Sequence, residues 1–275
     1  MSEPLRLMAV LAHPDDETLG TGGTLVHYGA QGIETYVVTA TRGQRGRYKE
    51  HRDGPGHPGP ERLGQIREAE LRAAVQVLGV REVELLGYMD GDLDRADPRE
   101  AIGRIAACVR RVHPQVVVTF APEGGYGHPD HIATCQFTTA AMVAAADPAH
   151  APGGPAPHAV SKLYYMAWPA PAMAAYQAAF KKLVSTVDGV EREAQPWPEW
   201  AITTIVDTRA HWATVWRAVT CHDSQVGNYR ALAELAPEHH EGLWGRQYFY
   251  RAYSRVNGGR GRETDLFEGL RGGAS

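Results

Sequence analysis

Two clusters of chemically reactive side chains stand out in the sequence. The first, Ala12–Glu17 (AHPDDE), follows the apolar run Leu5–Leu11 and combines one histidine with three acids. The second, Ala121–His131 (APEGGYGHPDH), follows the apolar run Val116–Phe120. So much negative charge in the first cluster requires a cation or bound protons to persist. A cluster of this kind suits a divalent metal and a carboxylate that activates water.

Spacing within the first cluster suggests a role for each residue. His13 and Asp16 are three residues apart, on a loop that enters a helix, so both side chains can converge on one metal ion. Asp15 must then point elsewhere. It is therefore free to accept a proton from water that the metal activates.

The second cluster is predicted to begin a helix, because Pro129 suits a first helical turn. His128 and His131 then lie one turn apart on one face, and one can bind metal while the other faces the reacting group. Asp130 can orient an imidazole. Two histidines and a carboxylate with an open position are the usual ligands of a catalytic zinc, which activates water and polarises a carbonyl. The predicted chemistry is hydrolytic.

Each cluster also has an ordinary structural interpretation. The first could be an acidic turn that caps a helix, and the second a simple start of a helix. Both follow predicted central strands, however, and parallel strands place their carboxyl ends at one edge of the sheet. Gly20–Gly23 does not complete a dinucleotide fingerprint, because the third glycine would fall at Leu25. The combination favours an active site without a nucleotide cofactor.

The elements that would position the clusters form an α/β pattern. A strand at Leu5–Leu11, a helix at Thr18–Gly32 and a strand at Ile33–Ala40 make a βαβ unit, which implies a parallel sheet. Further helices are predicted at Glu61–Leu78, Asp97–Val112, 129–146, Pro169–Leu183 and Thr208–His222. Further strands are predicted at Val83–Leu86, Val116–Phe120, Leu163–Met166 and Ile202–Val206. Glu191–Glu199 is predicted to be irregular, and Glu238–Arg255 to be a strand or a pocket wall.

This pattern predicts a Rossmann-like, mostly parallel sheet flanked by helices, with the active site at the C-terminal ends of the strands. Residues 1–275 are expected to form a single domain. Its α/β core would cover about 1–146, and a C-terminal portion at about 160–275 would form the substrate pocket.

Composition and charge narrow the function classes. The chain has 275 residues with 43% hydrophobic and 22% charged, a formal net charge of -4 and a pI of about 6.3. The slightly negative net charge gives no sign of a nucleic-acid or membrane partner. The basic residues form no long stripe either, because the densest basic stretch, Arg42–Arg52, is short and broken by glycines. The N-terminus lacks a signal-peptide pattern, and no apolar run approaches the about 20 residues of a membrane span.

The number and spacing of the cysteines predict a cytoplasmic protein. Cys108, Cys135 and Cys221 are odd in number and far apart, so they predict reduced thiols in a cytoplasmic protein. The oligomeric state stays open, a homo-oligomer included.

With both clusters located, the sequence resembles the PIG-L/LmbE-like family of zinc-dependent N-acetylglucosaminyl deacetylases. The segments that carry the resemblance are Ala12–Glu17, Gln65–Leu71 and Gly124–Ile132. Ala96–Arg99 and the tail Glu263–Leu270 resemble the branch that acts in mycothiol biosynthesis. The resemblance is rich in motifs from residue 5 to about 145 and patchy beyond.

The resemblance implies that His13, Asp16 and His131 bind one zinc ion per chain, although ferrous iron could occupy the same ligands. It implies that Asp15 is the general base that activates water and returns the proton to the leaving amine.

The resemblance also implies residues that act at the reacting carbonyl. His128, held by Asp130, would stabilise the tetrahedral oxyanion as an imidazolium. Tyr126 would assist at the same oxygen, and Arg67 would form part of the active-site wall. Two alternatives stay open: Tyr126 could simply pack over the glycine loop, and Arg67 could be an exposed helix residue paired with a nearby glutamate, Glu68 or Glu70.

One departure from the family concerns the loop after the second strand. Relatives commonly carry a Gly-Glu pair near the substrate, whereas this chain has Gly43-Gln44 among several arginines. This puts the usual sugar-binding role in doubt and could favour an anionic aglycone such as malate over neutral inositol. A solvated basic loop is an equally good interpretation. His222, His239 and His240 are further candidates for substrate contacts.

The resulting hypothesis is a zinc amidohydrolase that removes acetyl from a small N-acetylglucosamine glycoside, of the GlcNAc-malate or GlcNAc-inositol type. Its context would be biosynthesis of a low-molecular-weight thiol, and its partner a small amino-sugar substrate. The enzymatic alternatives are an amidase of a thiol conjugate and a deacetylase of an antibiotic or other sugar. A metal- or sugar-binding module without turnover is the remaining alternative, and intact Asp15 and His128 argue against it.

Overall fold

A mixed, mostly parallel sheet organises the fold, as predicted. The computed structural model describes residues 4–49, 51, 53–151, 153–180, 184–187, 189–225, 232–259 and 261–271. The strands of the main sheet are β1 (Arg6–Leu11), β2 (Glu34–Thr41), β3 (Glu82–Tyr88), β4 (Val116–Thr119), β5 (Lys162–Met166), β8 (Thr204–Asp207) and β9 (Arg246–Ser254). They lie in the order β3-β2-β1-β4-β5-β9-β8. The first five are parallel neighbours, and β9 and β8 add antiparallel at one edge.

The chain changes direction across this sheet at β1. From β1 it proceeds outward to β2 and β3, and it then returns to place β4 and β5 on the other side. A crevice forms at the carboxyl ends of the strands where such a reversal occurs, and ligands of α/β proteins bind there. Both clusters, at 12–17 after β1 and at 121–131 after β4, lie at this point.

Helices cover both faces of the sheet. Their bounds are α1 Asp16–Leu19, α2 Gly22–Gly29, α3 Pro60–Val77, α4 Pro98–Val112, α5 Gly124–Gly127, α6 Pro129–Ala146, α7 Ala170–Phe180, α8 Trp212–Val219 and α9 Pro237–Trp244. Side chains of β1 alternate between two cores. Leu7 and Leu11 pack with α2, α3 and α8, and Met8 and Val10 pack with α4 and α6. This double burial explains why β1 is almost wholly apolar.

The helix predicted at Thr18–Gly32 is in fact two helices, α1 and α2, that break at Gly20. The Gln247 side chain replaces helical hydrogen bonds at the break. Its amide donates to the Gly20 carbonyl at 3.2 Å and its oxygen accepts from the Thr24 amide at 3.0 Å. A Cβ atom at Gly20 would lie 3.0 Å from the sulfur of Met166 and 3.1 Å from the Asp16 carbonyl oxygen, so a larger residue would require these neighbours to shift by a few tenths of an ångström.

The second half of the chain departs further from prediction. Part of the stretch predicted to be irregular forms β7 (Val190–Glu193), which pairs with β6 (Val184–Val187) in a separate hairpin. Glu238–Arg255 contains α9 from its second residue onward, followed by the strand β9, because a helix begins at Pro237. The predicted helix at 208–222 is regular only over α8. Residues 181–183 of the predicted helix at 169–183 lie outside the described residues.

In the first half of the chain, short sequence motifs predicted the ends of helices more reliably. The Asp97 carboxylate accepts from the Arg99 amide at 2.8 Å and caps α4, as its position before Pro98 predicts. Cys108, Cys135 and Cys221 are free thiols. Among the described helices, none has the length and apolar character to cross a membrane.

Candidate metal centre and active site

The three expected metal ligands converge between the ends of β1 and β4. The Nδ1 atom of His13 lies 3.2 Å from Nε2 of His131 and 3.6 Å from the Asp16 carboxylate. The Nε2 atom of His131 also lies 3.6 Å from that carboxylate. Two imidazole nitrogens and a carboxylate are the donor set of many catalytic zinc sites. The residues present therefore fit a divalent cation.

The other ring nitrogen of His13 is held by two carboxylates. Its Nε2 atom lies 3.0 Å from Asp130 and 3.2 Å from Asp90. Such partners orient a ligand imidazole and increase its basicity. The fully buried Asp130 carboxylate also accepts two backbone amides of the loop after β3. This differs from the expectation that Asp130 holds His128, because the Asp130 carboxylate is hydrogen-bonded to His13, and the contact of Asp130 with the His128 ring is made by its backbone amide, at 3.2 Å.

Electrostatics in the cluster favour a positive charge at its centre. Burial lowers the pKa of His13, but the carboxylates of Asp130, Asp16 and Asp90 outweigh burial and raise this pKa well above its usual value. Burial raises the pKa of Asp16, yet His131 and His13 hold it well below its ordinary range. Burial lowers the pKa of His131 to about 3, so its ring is neutral and offers a lone pair. A divalent cation would satisfy all three groups.

Asp15 lies beside the three expected ligands but has a different partner. Its carboxylate is 3.1 Å from the guanidinium of Arg67, which also donates to the carbonyls of Pro14 and Gly43. Arg67 is only 4% exposed, so the alternative of an exposed residue paired with a nearby glutamate is wrong. Burial raises the pKa of Asp15 to about 6, although the charge of Arg67 opposes this shift.

The backbone of Asp15 is held in an unusual conformation. Its φ of 107° lies in the left-handed region, which residues other than glycine rarely adopt. Its carbonyl accepts from the amides of Thr18 and Leu19 at 3.1 and 2.9 Å, and its amide donates to Glu17 at 2.9 Å. Strain of this kind persists only where the surroundings fix it. The loop therefore holds Asp15 in one position.

His128 and Tyr126 line the same site from the segment after β4. The His128 ring centroid lies 4.8 Å from those of His13 and His131, and Tyr126 meets His131 edge-on at 5.3 Å. Nδ1 of His128 accepts from the Asp130 amide, so a neutral ring carries its proton on Nε2. Burial and the charge of His13 lower the pKa of His128, which favours this neutral form over the expected imidazolium.

The C-terminal histidines have structural surroundings. His222 is fully buried against Glu17, at 2.7 Å. His240 stacks within a cluster of three tryptophans, and His239 is exposed. None of these histidines lines the cavity beside the three expected metal ligands.

A cavity of about 520 Å³ opens onto the site. Asp15, Asp16, His131 and Tyr126 form its candidate catalytic side. The remaining walls are largely aromatic or apolar and include Phe120, Met166, Trp168, Met173, Tyr176 and Trp197. Apolar walls with a few convergent polar groups are typical of small-molecule sites.

Gln44, at the departure from the family pattern, faces away from this cavity. Its side-chain oxygen accepts from the amides of Asp90 and Arg42, and its amide group donates to the Tyr88 carbonyl, all at 3.2 Å. Gln44 therefore ties its loop to the end of β3.

Several residues of the site were absent from the sequence interpretation. Asp90 had an available signal, because it follows the parallel strand β3 just as the two clusters follow β1 and β4. Trp168 and Trp197 had none, since both lie in irregular segments whose position depends on the folded chain.

Known proteins resemble this chain over most of its length. A family model described as PIG-L, GlcNAc-PI de-N-acetylase, matches residues 8–142. A 1D-myo-inositol 2-acetamido-2-deoxy-alpha-D-glucopyranoside deacetylase from Kineococcus radiotolerans is 35% identical over 98% of this chain and 84% of the relative. A protein of the same name from Streptomyces avermitilis is 36% identical over 96% of this chain and 97% of the relative.

Among solved structures, the 4-carboxy-2-hydroxymuconate hydratase GalB from Pseudomonas putida KT2440 has a TM-score of 0.70 at 19% identity. The match covers 93% of this chain and 99% of GalB. At this identity the likeness shows the fold alone, because one fold can carry many different reactions.

Proposed function

Because the chain belongs to the PIG-L family and is an N-deacetylase, we propose that it removes the acetyl group from a small N-acetylglucosamine glycoside of the GlcNAc-inositol type. The names of the curated relatives support this substrate class. The observation that carries the proposal is the convergence of His13, Asp16 and His131 beside Asp15, at one wall of a cavity large enough for a sugar.

The proposed cofactor is one zinc ion per chain, held by His13, Asp16 and His131. Ferrous iron suits the same donors. When bound, such an ion polarises the acetamide carbonyl and lowers the pKa of water to about 7. Other side chains orient these proposed ligands. Asp130 and Asp90 hold Nε2 of the His13 ring, so that Nδ1 faces Asp16 and His131.

Asp15 serves as the general base in this proposal. With a pKa of about 6 it is mostly ionised at neutral pH, so its carboxylate can take a proton from the attacking water. The same carboxylate then returns the proton to the leaving amine. Arg67 keeps the Asp15 carboxylate in place by a contact of 3.1 Å.

His128 and Tyr126 act on the oxygen that gains negative charge. A neutral His128 has its Nε2–H available, because Nδ1 is occupied by the Asp130 amide. A positioned donor of this kind stabilises an oxyanion more than the ground-state carbonyl. The hydroxyl of Tyr126 is a second donor on the catalytic side of the cavity.

We also propose that the chain works as a single domain in the cytoplasm. The C-terminal strands β8 and β9 complete the sheet begun by β1, which supports one domain. The free cysteines support a reducing compartment.

An amine-release assay tests the proposed function. The zinc-loaded protein is compared on GlcNAc, GlcNAc-inositol and GlcNAc-malate, with a chelator-treated sample as control. Chelator-sensitive release from a glycoside supports the proposal. No release from any of the three, with zinc firmly bound, overturns the substrate assignment.

A matched variant tests the assigned roles. Asp15→Asn preserves shape and removes the base, so kcat is expected to fall by a factor of about 10²–10⁴. Zinc content, measured by atomic absorption, is expected to stay at one per chain. Loss of zinc together with activity would show that Asp15 is a ligand.

A further inference from the structure

Arg47 differs from the other cations of its loop. Arg42, Arg45 and Lys49 each pair with an acidic side chain, at distances between 2.6 and 3.6 Å. Within the described part of the chain, no ion pair or hydrogen bond joins the Arg47 guanidinium to another group. An arginine fork presents five donors, so an unpaired one beside a cavity is a ready binding group.

The backbone that carries Arg47 is firmly anchored. The Gln225 side chain donates to the Arg47 carbonyl at 2.7 Å. The buried Arg67 donates to the Gly43 carbonyl, and a Cβ atom at Gly43 or Gly46 would overlap the Arg67 guanidinium. Because Arg67 also holds the catalytic aspartate, the position of the Arg47 backbone is tied to the reacting centre.

Arg47 lies between two cavities. It lines the catalytic cavity and also a second one of about 570 Å³, and Tyr126 lines both. The second cavity contains His128 from the catalytic group. Its other charged residues, Arg95 and Asp94, have opposite signs. The charged residues of this second cavity therefore have a net positive charge, among the residues that the structure describes. Arg95 pairs with Asp92 at 3.5 Å, which leaves Arg47, within the same described residues, as the arginine of the cavity without an ion pair.

We infer that the second cavity binds the part of the substrate beyond the amino sugar, and that Arg47 binds a negatively charged group on that part. The group is a carboxylate or a phosphate, which the planar guanidinium can bind through two parallel hydrogen bonds. This inference rests on the proposed function, since it specifies the aglycone. Within the proposed class of small N-acetylglucosamine glycosides, it predicts a preference for an aglycone that carries an anionic group.

The test compares three glycosides of N-acetylglucosamine: with inositol, with a phosphorylated inositol and with malate. Wild-type kcat/KM is expected to be roughly tenfold or more higher for an anionic glycoside, since hydrogen bonds to charged groups are the stronger ones. The two anionic arms distinguish phosphate from carboxylate. The preference is expected to weaken at high ionic strength.

Substitutions locate the effect. Arg47→Gln is expected to remove the preference through KM, with kcat changed less than about twofold, because the acetamide end is bound elsewhere. Arg47→Lys is expected to retain part of the preference for an anionic glycoside. Arg42→Gln, which removes the same charge from the same loop, is expected to behave as wild type.

Equal kcat/KM on neutral and anionic glycosides, or an unaltered preference in Arg47→Gln, overturns the inference. Binding gives a readout independent of turnover. The Kd of the glucosamine products, measured by calorimetry on wild type and Arg47→Gln, is expected to show the same selectivity. If no amine is released from any glycoside, the proposed function fails; anion-selective binding that depends on Arg47 would still support this site, and its absence would refute it.

Discussion

Glu17 and His222 form a fully buried ion pair 2.7 Å long, directly behind the proposed general base. Glu17 uses its second oxygen to accept the backbone amide of Asp15 at 2.9 Å. Burial lowers the pKa of His222, but Glu17 and Asp15 outweigh burial and raise it. The pair thus connects the C-terminal part of the chain to the strained backbone of Asp15, and it gives the last acid of AHPDDE a positioning role.

Replacing His222 by Ala is expected to weaken both the fold and the reaction. Removing one partner of a buried pair costs about 3–5 kcal/mol, so the free energy of unfolding should fall by about that amount. The Asp15 backbone loses support at the same time, and we expect kcat to fall about tenfold with zinc content unchanged, because small misplacements of a catalytic group are costly. Urea unfolding and steady-state kinetics measure the two effects.

His240→Ala is the matched control, since His240 is also buried but packs in the tryptophan cluster. It should lower stability and leave kcat unaltered. His222→Gln keeps a donor toward Glu17 and should recover part of kcat. A His222→Ala protein with normal kcat would show that the pair is structural only.

The site could be predicted where short sequence segments place chemistry at the end of a strand. His13 and Asp16 follow β1, and His131 follows β4, so the parallel sheet alone brings these proposed ligands together. The partners of those ligands could not be predicted. His13 and Asp130 are 117 residues apart, and nothing local indicates which imidazole the carboxylate meets.

The same contrast between local and long-range contacts explains which parts of the fold could be predicted. The capping of α4 depends on adjacent residues and was predictable from Asp97 and Pro98. The break between α1 and α2 depends on Gln247. Its side-chain oxygen accepts a hydrogen bond from the backbone amide of Thr24, which is 223 residues away in the sequence. The pocket walls at Trp168 and Trp197 likewise depend on long-range packing.

Asp130→Asn tests the partner that the structure assigns to this carboxylate. Because Asp130 holds Nε2 of the proposed ligand His13, we expect zinc affinity to fall by a factor of about 10–100. Competition with a chelating dye measures the affinity. Unchanged zinc affinity with a reduced kcat at saturating zinc would place the action of Asp130 at His128 instead.

His128→Ala tests the oxyanion donor. Loss of one such donor typically lowers kcat by a factor of about 10²–10³. Zinc content should not change, since His128 is outside the proposed ligand set. A normal kcat on the glycoside that wild type prefers would remove His128 from the reaction. His128→Gln, which keeps a donor, should lie between the two.

Glu263 is expected to make stability depend on pH, because it ends a buried network that attaches the C-terminal segment to the sheet. It accepts from Lys162 at 2.7 Å and from Tyr164 and Thr204 at 2.8 Å, and Arg251 lies 2.8 Å away. Burial raises the pKa of Glu263, but these donors and Asn257 outweigh burial and lower it from 4.5 to about 2. The folded state therefore favours the ionised carboxylate. The resulting stabilisation, about 3 kcal/mol, is fully present above the unfolded pKa and is lost as pH falls from about 4.5 toward about 2.

Glu263→Gln isolates this contribution. At pH 7 the variant should be less stable than wild type by about 3–5 kcal/mol, since Lys162 and Arg251 lose their buried counter-charge. The difference in unfolding free energy between the two proteins, measured by urea titration at several pH values, should shrink as the pH falls below about 4.5. A difference that stays constant between pH 7 and the acid limit of folding would show that Glu263 is not the titrating group. Because the network lies apart from the proposed metal ligands, kcat at neutral pH should be nearly the same for both proteins.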